Sequence, residues 1–114
     1  MPVRIIKERV SVEELKEIAK DFFGDMVKIV VDVEKEILAV GGELHSDEEQ
    51  LLLENGSEQK NLWGVNYYFD KKGDEKIEFD SLINIRPMQN NPTREVEDLE
   101  IQKKIKEIIN KLIK

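Results

Sequence analysis

The sequence predicts a single α+β domain spanning residues 1–114, in the order β-α-β-β-α-β-β-α, with a mainly antiparallel sheet covered on one face by the first and last helices. Three observations carry that expectation. Residues 12–23 and 99–113 repeat apolar side chains at helical spacing. Residues 27–40 and 62–86 each divide into two β-rich arms around a polar turn. No linker, internal repeat or low-complexity tract divides the chain, and 114 residues with 39% hydrophobic content suffice for one modest core.

The first strand is expected over Val3–Lys7, where Val3 and Ile5 flank Arg4. Ser11 then offers a helix cap, Glu14 completes a capping box three residues on, and Val10 and Leu15 occupy the hydrophobic-staple positions. Val12, Leu15, Ile18, Ala19, Phe22 and Phe23 follow as one stripe, and Gly24 stops the helix. The β-branched residues between Val27 and Val33 predict a strand, a turn over Glu34-Lys35-Glu36 and a returning strand over 37–40. Gly41-Gly42 permits a sharp exit. A short second helix is expected with Ser46 as its cap and Glu49 completing a capping box, with Leu51, Leu52 and Leu53 pointing inward and Asn55-Gly56 ending it.

The second hairpin joins Leu62–Phe69 to Lys76–Arg86 around Lys72-Gly73-Asp74. That loop sets Phe69 opposite Ile77, Tyr67 opposite Phe79, Val65 opposite Ser81 and Trp63 opposite Ile83 on a core face. Asn66 then faces Asp80 and Tyr68 faces Glu78 on a polar face, with Asn84 and Arg86 further along. Pro87–Val96 reads as a loop. Asp98 caps the last helix, whose stripe is Ile101, Ile105, Ile108, Ile109, Leu112 and Ile113.

A net charge of -7 and a pI near 4.8 argue against nucleic acid as a partner, since such binding neutralises phosphates with Lys and Arg. No apolar run approaches the ~20 residues of a membrane span, so no membrane partner is expected. Met-Pro-Val-Arg lacks signal-peptide architecture, which points to the cytoplasm. The absence of cysteine excludes disulfides, thiol catalysis, Cys-based zinc sites and iron–sulfur clusters. Abundant Glu and Lys resemble the charge-rich surfaces of thermophile proteins. Charge is also uneven: Glu43–Gln59 holds six acids and no Lys or Arg, whereas Lys103–Lys114 holds five lysines against Glu107. These read most simply as solvated helix faces.

Three segments, Gly41-Gly42-Glu43-Leu44-His45-Ser46-Asp47, Leu62-Trp63-Gly64 and Ser81-Leu82-Ile83-Asn84-Ile85-Arg86-Pro87, resemble the landmarks of a family of short prokaryotic proteins classed as a domain of unknown function. The resemblance runs from the first helix to the last. It implies no activity and no catalytic residues.

Candidate site residues therefore come from their chemistry. Glu43, His45 and Asp47 alternate in a segment entering a helix, so in extended backbone they would project to one side. A single His is too sparse to expect a metal centre, and no cofactor is expected. Arg86 to Arg94 forms a positive island with two arginines, three side-chain amides and no acid. It could grip a carboxylate or phosphate, with Asn84, Arg86 and Asn91 as donors. Burial of Arg86 should require either an acid such as Asp80 or Glu43, or a bound anion. Any site is expected where Gly41–Asp47 meets Arg86–Arg94. The expected function is a ligand-binding or protein-interaction module, able to form a homodimer, with a small anionic ligand. The alternatives are a small hydrolase-like enzyme acting on an anionic substrate through His45 and the Arg86 loop, and a regulator docking on another protein.

Overall fold

A computed structural model describes residues 3–114. Its elements are β1 (Arg4–Ile6), α1 (Val12–Lys20), β2 (Met26–Asp32), β3 (Ile37–Val40), α2 (His45–Glu54), β4 (Leu62–Tyr68), β5 (Ile77–Glu78) and α3 (Leu99–Leu112), with short 3-10 turns at Gln59–Asn61, Gly73–Lys76, Leu82–Asn84 and Pro87–Gln89. The five strands form one antiparallel sheet in the order β1-β3-β2-β4-β5. The expected element order and α+β class are what the chain adopts.

Period-two alternation assigns the two sheet faces. Val27, Ile29 and Val31 of β2 and Trp63, Val65 and Tyr67 of β4 pack with Leu15 and Ala19 of α1 and Ile105, Ile108 and Ile109 of α3. This is the larger core, beneath the first and last helices. On the opposite face Val30, Ala39 and Leu62 meet Leu52 of α2, with Ile37 and Ile83 against them. The face expected to be polar thus carries α2 as a third layer. Of the three consecutive leucines only Leu52 is fully buried, while Leu53 is 40% exposed. A single helical stripe cannot point three successive residues inward.

The helix termini follow local chemistry. Ser11 Oγ accepts from Glu14 N at 3.1 Å, and Gly24, at φ +82°, closes the turn after α1 by donating its N–H to Ala19 O at 2.8 Å. The helix itself stops at Lys20, so Phe22 and Phe23 lie beyond it. Asp98 Oδ1 accepts from Glu100 N and Ile101 N at the start of α3. The α2 cap differs from expectation. Leu44, extended at φ -123°, is the cap residue, and Asp47 reaches back to accept its N–H at 3.2 Å. Ser46 therefore lies inside the first turn. In the first hairpin Asp32 Oδ1 accepts from Glu34 N and Lys35 N, which shapes the turn that Glu36 completes at φ +58°.

The second hairpin departs most from expectation. Tyr67 pairs with Ile77 and Asn66 with Glu78, a slip of two residues from the expected Tyr67–Phe79 and Asn66–Asp80. The 3-10 turn at Gly73–Lys76, with Gly73 at φ +59°, sets the longer loop. An even slip preserves facing, so Tyr67 and Ile77 stay on the large core. The returning arm then leaves the sheet after Glu78. Ser81 Oγ accepts from Ile83 N at 3.3 Å and starts the Leu82–Asn84 turn, which carries Ile83 to the α2 face instead of opposite Trp63.

Candidate functional site

Early departure of β5 leaves the edge of β4 without a strand partner, and side chains replace one. Asn84 Oδ1 accepts from Gly64 N at 2.9 Å while its Nδ2 donates to Gly64 O at 3.0 Å and to Arg94 O at 3.0 Å. One amide thus satisfies both buried backbone groups of Gly64. Arg86 caps the same edge by donating Nη2 to Leu62 O at 2.6 Å and Nη1 to Gln59 O. Its guanidinium lies 4.1 Å from the centre of the Trp63 ring. The expected acid or anion partner of Arg86 is replaced by two carbonyls and an indole face. Arg94 takes Asp80 instead, with Nε 2.6 Å from Oδ1.

Asn91 organises the connection that follows. Its Nδ2 donates to Asn84 O at 2.8 Å and Glu95 O at 2.7 Å, and its Oδ1 accepts from Glu97 N at 2.8 Å. Backbone bonds Arg86 N to Asn91 O and Asn91 N to Arg86 O close the intervening loop. The side-chain donors of Asn84, Arg86 and Asn91 that find partners thus meet backbone carbonyls of β4, of Gln59 just before it and of the 84–95 connection.

What this scaffold positions is a cleft of about 230 Å³ at the amino end of α2, lined by Lys28, Leu44, His45, Ser46, Asp80, Ser81, Leu82, Ile83 and Arg94. The Gly41–Asp47 segment and the far end of the Arg86–Arg94 island do meet there, through His45 and Arg94. Arg86 is not part of the lining, Glu43 is exposed, and Asp47 is occupied with Leu44 N. Among the described residues no three His, Asp or Glu side chains group as metal ligands.

His45 is only 7% exposed, and its Nε2 lies 2.7 Å from Val65 O. A carbonyl can only accept, so Nε2 carries the proton and Nδ1 is left as the acceptor of the neutral ring. The imidazole pKa is pushed down to about 4, chiefly by burial and to a lesser extent by the Lys28 and Arg94 charges, with the Val65 bond and Asp80 acting against them. One turn along α2, Glu48 is fully buried, and its Oε2 accepts from Gly42 N at 2.9 Å while Oε1 meets no partner among the described residues. Desolvation raises its pKa well above the ordinary carboxylate value, only partly offset by the Gly42 bond and Lys28.

Two glycines make room for this packing. A Cβ at Gly42 would fall 2.9 Å from Glu48 Cγ and from Leu44 O. A Cβ at Gly64 would fall 2.6 Å from Ser81 Oγ and 3.1 Å from His45 Cδ2. Close approach thus accounts for the glycine of Leu62-Trp63-Gly64: Gly64 lets Ser81 and His45 lie against the sheet.

Sequence reasoning missed Lys28, Glu48 and Ser81 as parts of this site. Lys28 had a readable signal, being the one charged residue inside the apolar run of β2. It makes no ion pair among the described residues, and its Nζ lies 5.3 Å from the Phe23 ring centre.

Among the described residues, no helix is long and apolar enough to cross a membrane. No curated protein and no solved structure matches the chain. A family model described as "Protein of unknown function (DUF5674)" matches residues 4–112, and the chain belongs to that family.

Proposed function

We propose that the domain is a binding module for a small anion seated in the cleft at the amino end of α2. The observation that carries this reading is the placement of Lys28 and Arg94 in one cleft against a single carboxylate, Asp80, in a chain of net charge -7. Arg94 Nε is engaged by Asp80, which leaves Lys28 as the cleft's cation without an ion-pair partner among the described residues. An anion entering the cleft gains a charge-assisted contact that the folded chain does not itself supply.

Binding is favoured over turnover by the state of His45. A general base works best with a pKa near the operating pH, and burial holds this imidazole at about 4. Its fixed contact with Val65 fits a group that braces the cleft wall. Calorimetric titration with sodium acetate and with inorganic phosphate at low ionic strength tests the reading. Saturable binding to the wild type is expected, and Lys28→Met should weaken it about ten-fold, the worth of one charge-assisted hydrogen bond. Binding of neither anion, or equal affinity in Lys28→Met, would overturn it.

A further inference from the structure

We infer that the ligand of this cleft is a short-chain carboxylate with an apolar tail, its head held by Lys28 and Arg94 and its tail laid over Leu44, Leu82 and Ile83. This rests on the anion-binding reading and adds the chemical class of the anion.

Charge decides the head group. Lys28 and Arg94 contribute two positive charges, Asp80 removes one, and His45 is neutral, so the cleft presents a single positive charge to its occupant. A monoanionic carboxylate balances it. A phosphate dianion would bring a second negative charge beside the Asp80 carboxylate, where like charges repel.

The walls decide the tail. Leu44 is 56% exposed and Leu82 is 68% exposed, yet both line the same cleft as the two cations. Ile83 lines the cleft as well and packs against the smaller core of Val30, Ala39, Leu52 and Leu62. Apolar surface beside a localised charge suits an amphipathic ligand, because the tail removes leucine surface from water while the head stays paired. Size limits the tail. About 230 Å³ is smaller than the ~300–1,000 Å³ of pockets that hold drug-sized molecules, so a chain of a few carbons fills it.

The test is a titration series with acetate, butyrate, hexanoate, decanoate and inorganic phosphate, followed by amide chemical shifts of the intact protein. Affinity should rise about three- to four-fold per methylene, as expected for buried CH₂ groups, and level off once the cleft is full. Butyrate should bind more tightly than phosphate. Leu82→Ser and, independently, Leu44→Ser should flatten the chain-length slope, with denaturant midpoints confirming that both variants fold. Equal affinity for all carboxylates, or phosphate binding more tightly than butyrate, would overturn the inference while leaving the anion site standing. Binding of no anion at all would remove both.

Discussion

Replacing Asn84 with Ala should destabilise the domain more than any other single polar truncation, because one side chain does the work of a missing strand. Three bonds are lost, to Gly64 N, Gly64 O and Arg94 O. The Arg94 carbonyl retains Ser81 N at 3.0 Å, so its loss is small. Gly64 N and O are left without partners at the buried edge of β4, where the strand has already separated from β5. An orphaned buried backbone group costs about 1–3 kcal/mol, so two predict a loss on the order of 2–6 kcal/mol. That is a large share of the ~5–15 kcal/mol that holds a domain together. Urea melts of wild type and Asn84→Ala, followed by circular dichroism, measure it. Asn84→Asp separates the two halves, since it keeps the acceptor for Gly64 N and removes the donor to Gly64 O. A midpoint for Asn84→Ala within error of wild type would refute the strand-substitute argument.

Three further outcomes follow from the same packing. His45 has a folded pKa of about 4 against an ordinary 6.5, so its contribution to stability is present above pH 6.5 and is lost as pH falls through 4. The shift corresponds to roughly 3 kcal/mol, and His45→Gln should flatten that part of the pH dependence in denaturant melts. Glu48 runs the other way: its folded pKa is raised, so its contribution is present below the ordinary carboxylate pKa and lost as pH rises above it. Glu48→Gln keeps an acceptor for Gly42 N and should raise the melting midpoint at pH 7, with the gain fading toward pH 4; a lower midpoint at pH 7 would contradict the assignment. Gly64→Ala should cost about 1–3 kcal/mol through overpacking against Ser81 and His45. Ser81→Gly should recover part of that loss, and simple additivity of the two changes in melts would count against the contact.

Much of the fold was legible because short-range chemistry and long-range packing agree in it. Ser11, Gly24 and Asp98 mark the ends of α1 and α3, and β-branched density marks β2. Register in the second hairpin was not legible, since Lys72-Gly73-Asp74 admits turns of several lengths and the 3-10 turn at Gly73–Lys76 chose a longer one. Nor was the end of β5. Phe79, Ser81 and Ile83 alternate as a strand would, but Asn84 competes for the same backbone groups of Gly64 and wins with one side chain.

The candidate site shows the same divide. His45 and the Arg86–Arg94 island were visible as rare chemistry in an acidic chain, and the structure brings His45 and Arg94 into one cleft. Which arginine would face the cleft depended on Asp80, Gln59 and Leu62, residues remote in sequence. Glu48 stands in the first turn of α2, where an acid suits the helix dipole, and its contact with Gly42, six residues back, is not visible in that local pattern.

The most direct test of the anion-binding account is a chemical-shift map of the isotopically labelled wild-type protein titrated with butyrate. The account predicts saturable shifts concentrated at Lys28, Leu44, His45, Ser46, Leu82 and Arg94, the residues around one cleft. Shifts centred on the lysines of α3, or scattered changes that do not saturate, would contradict it.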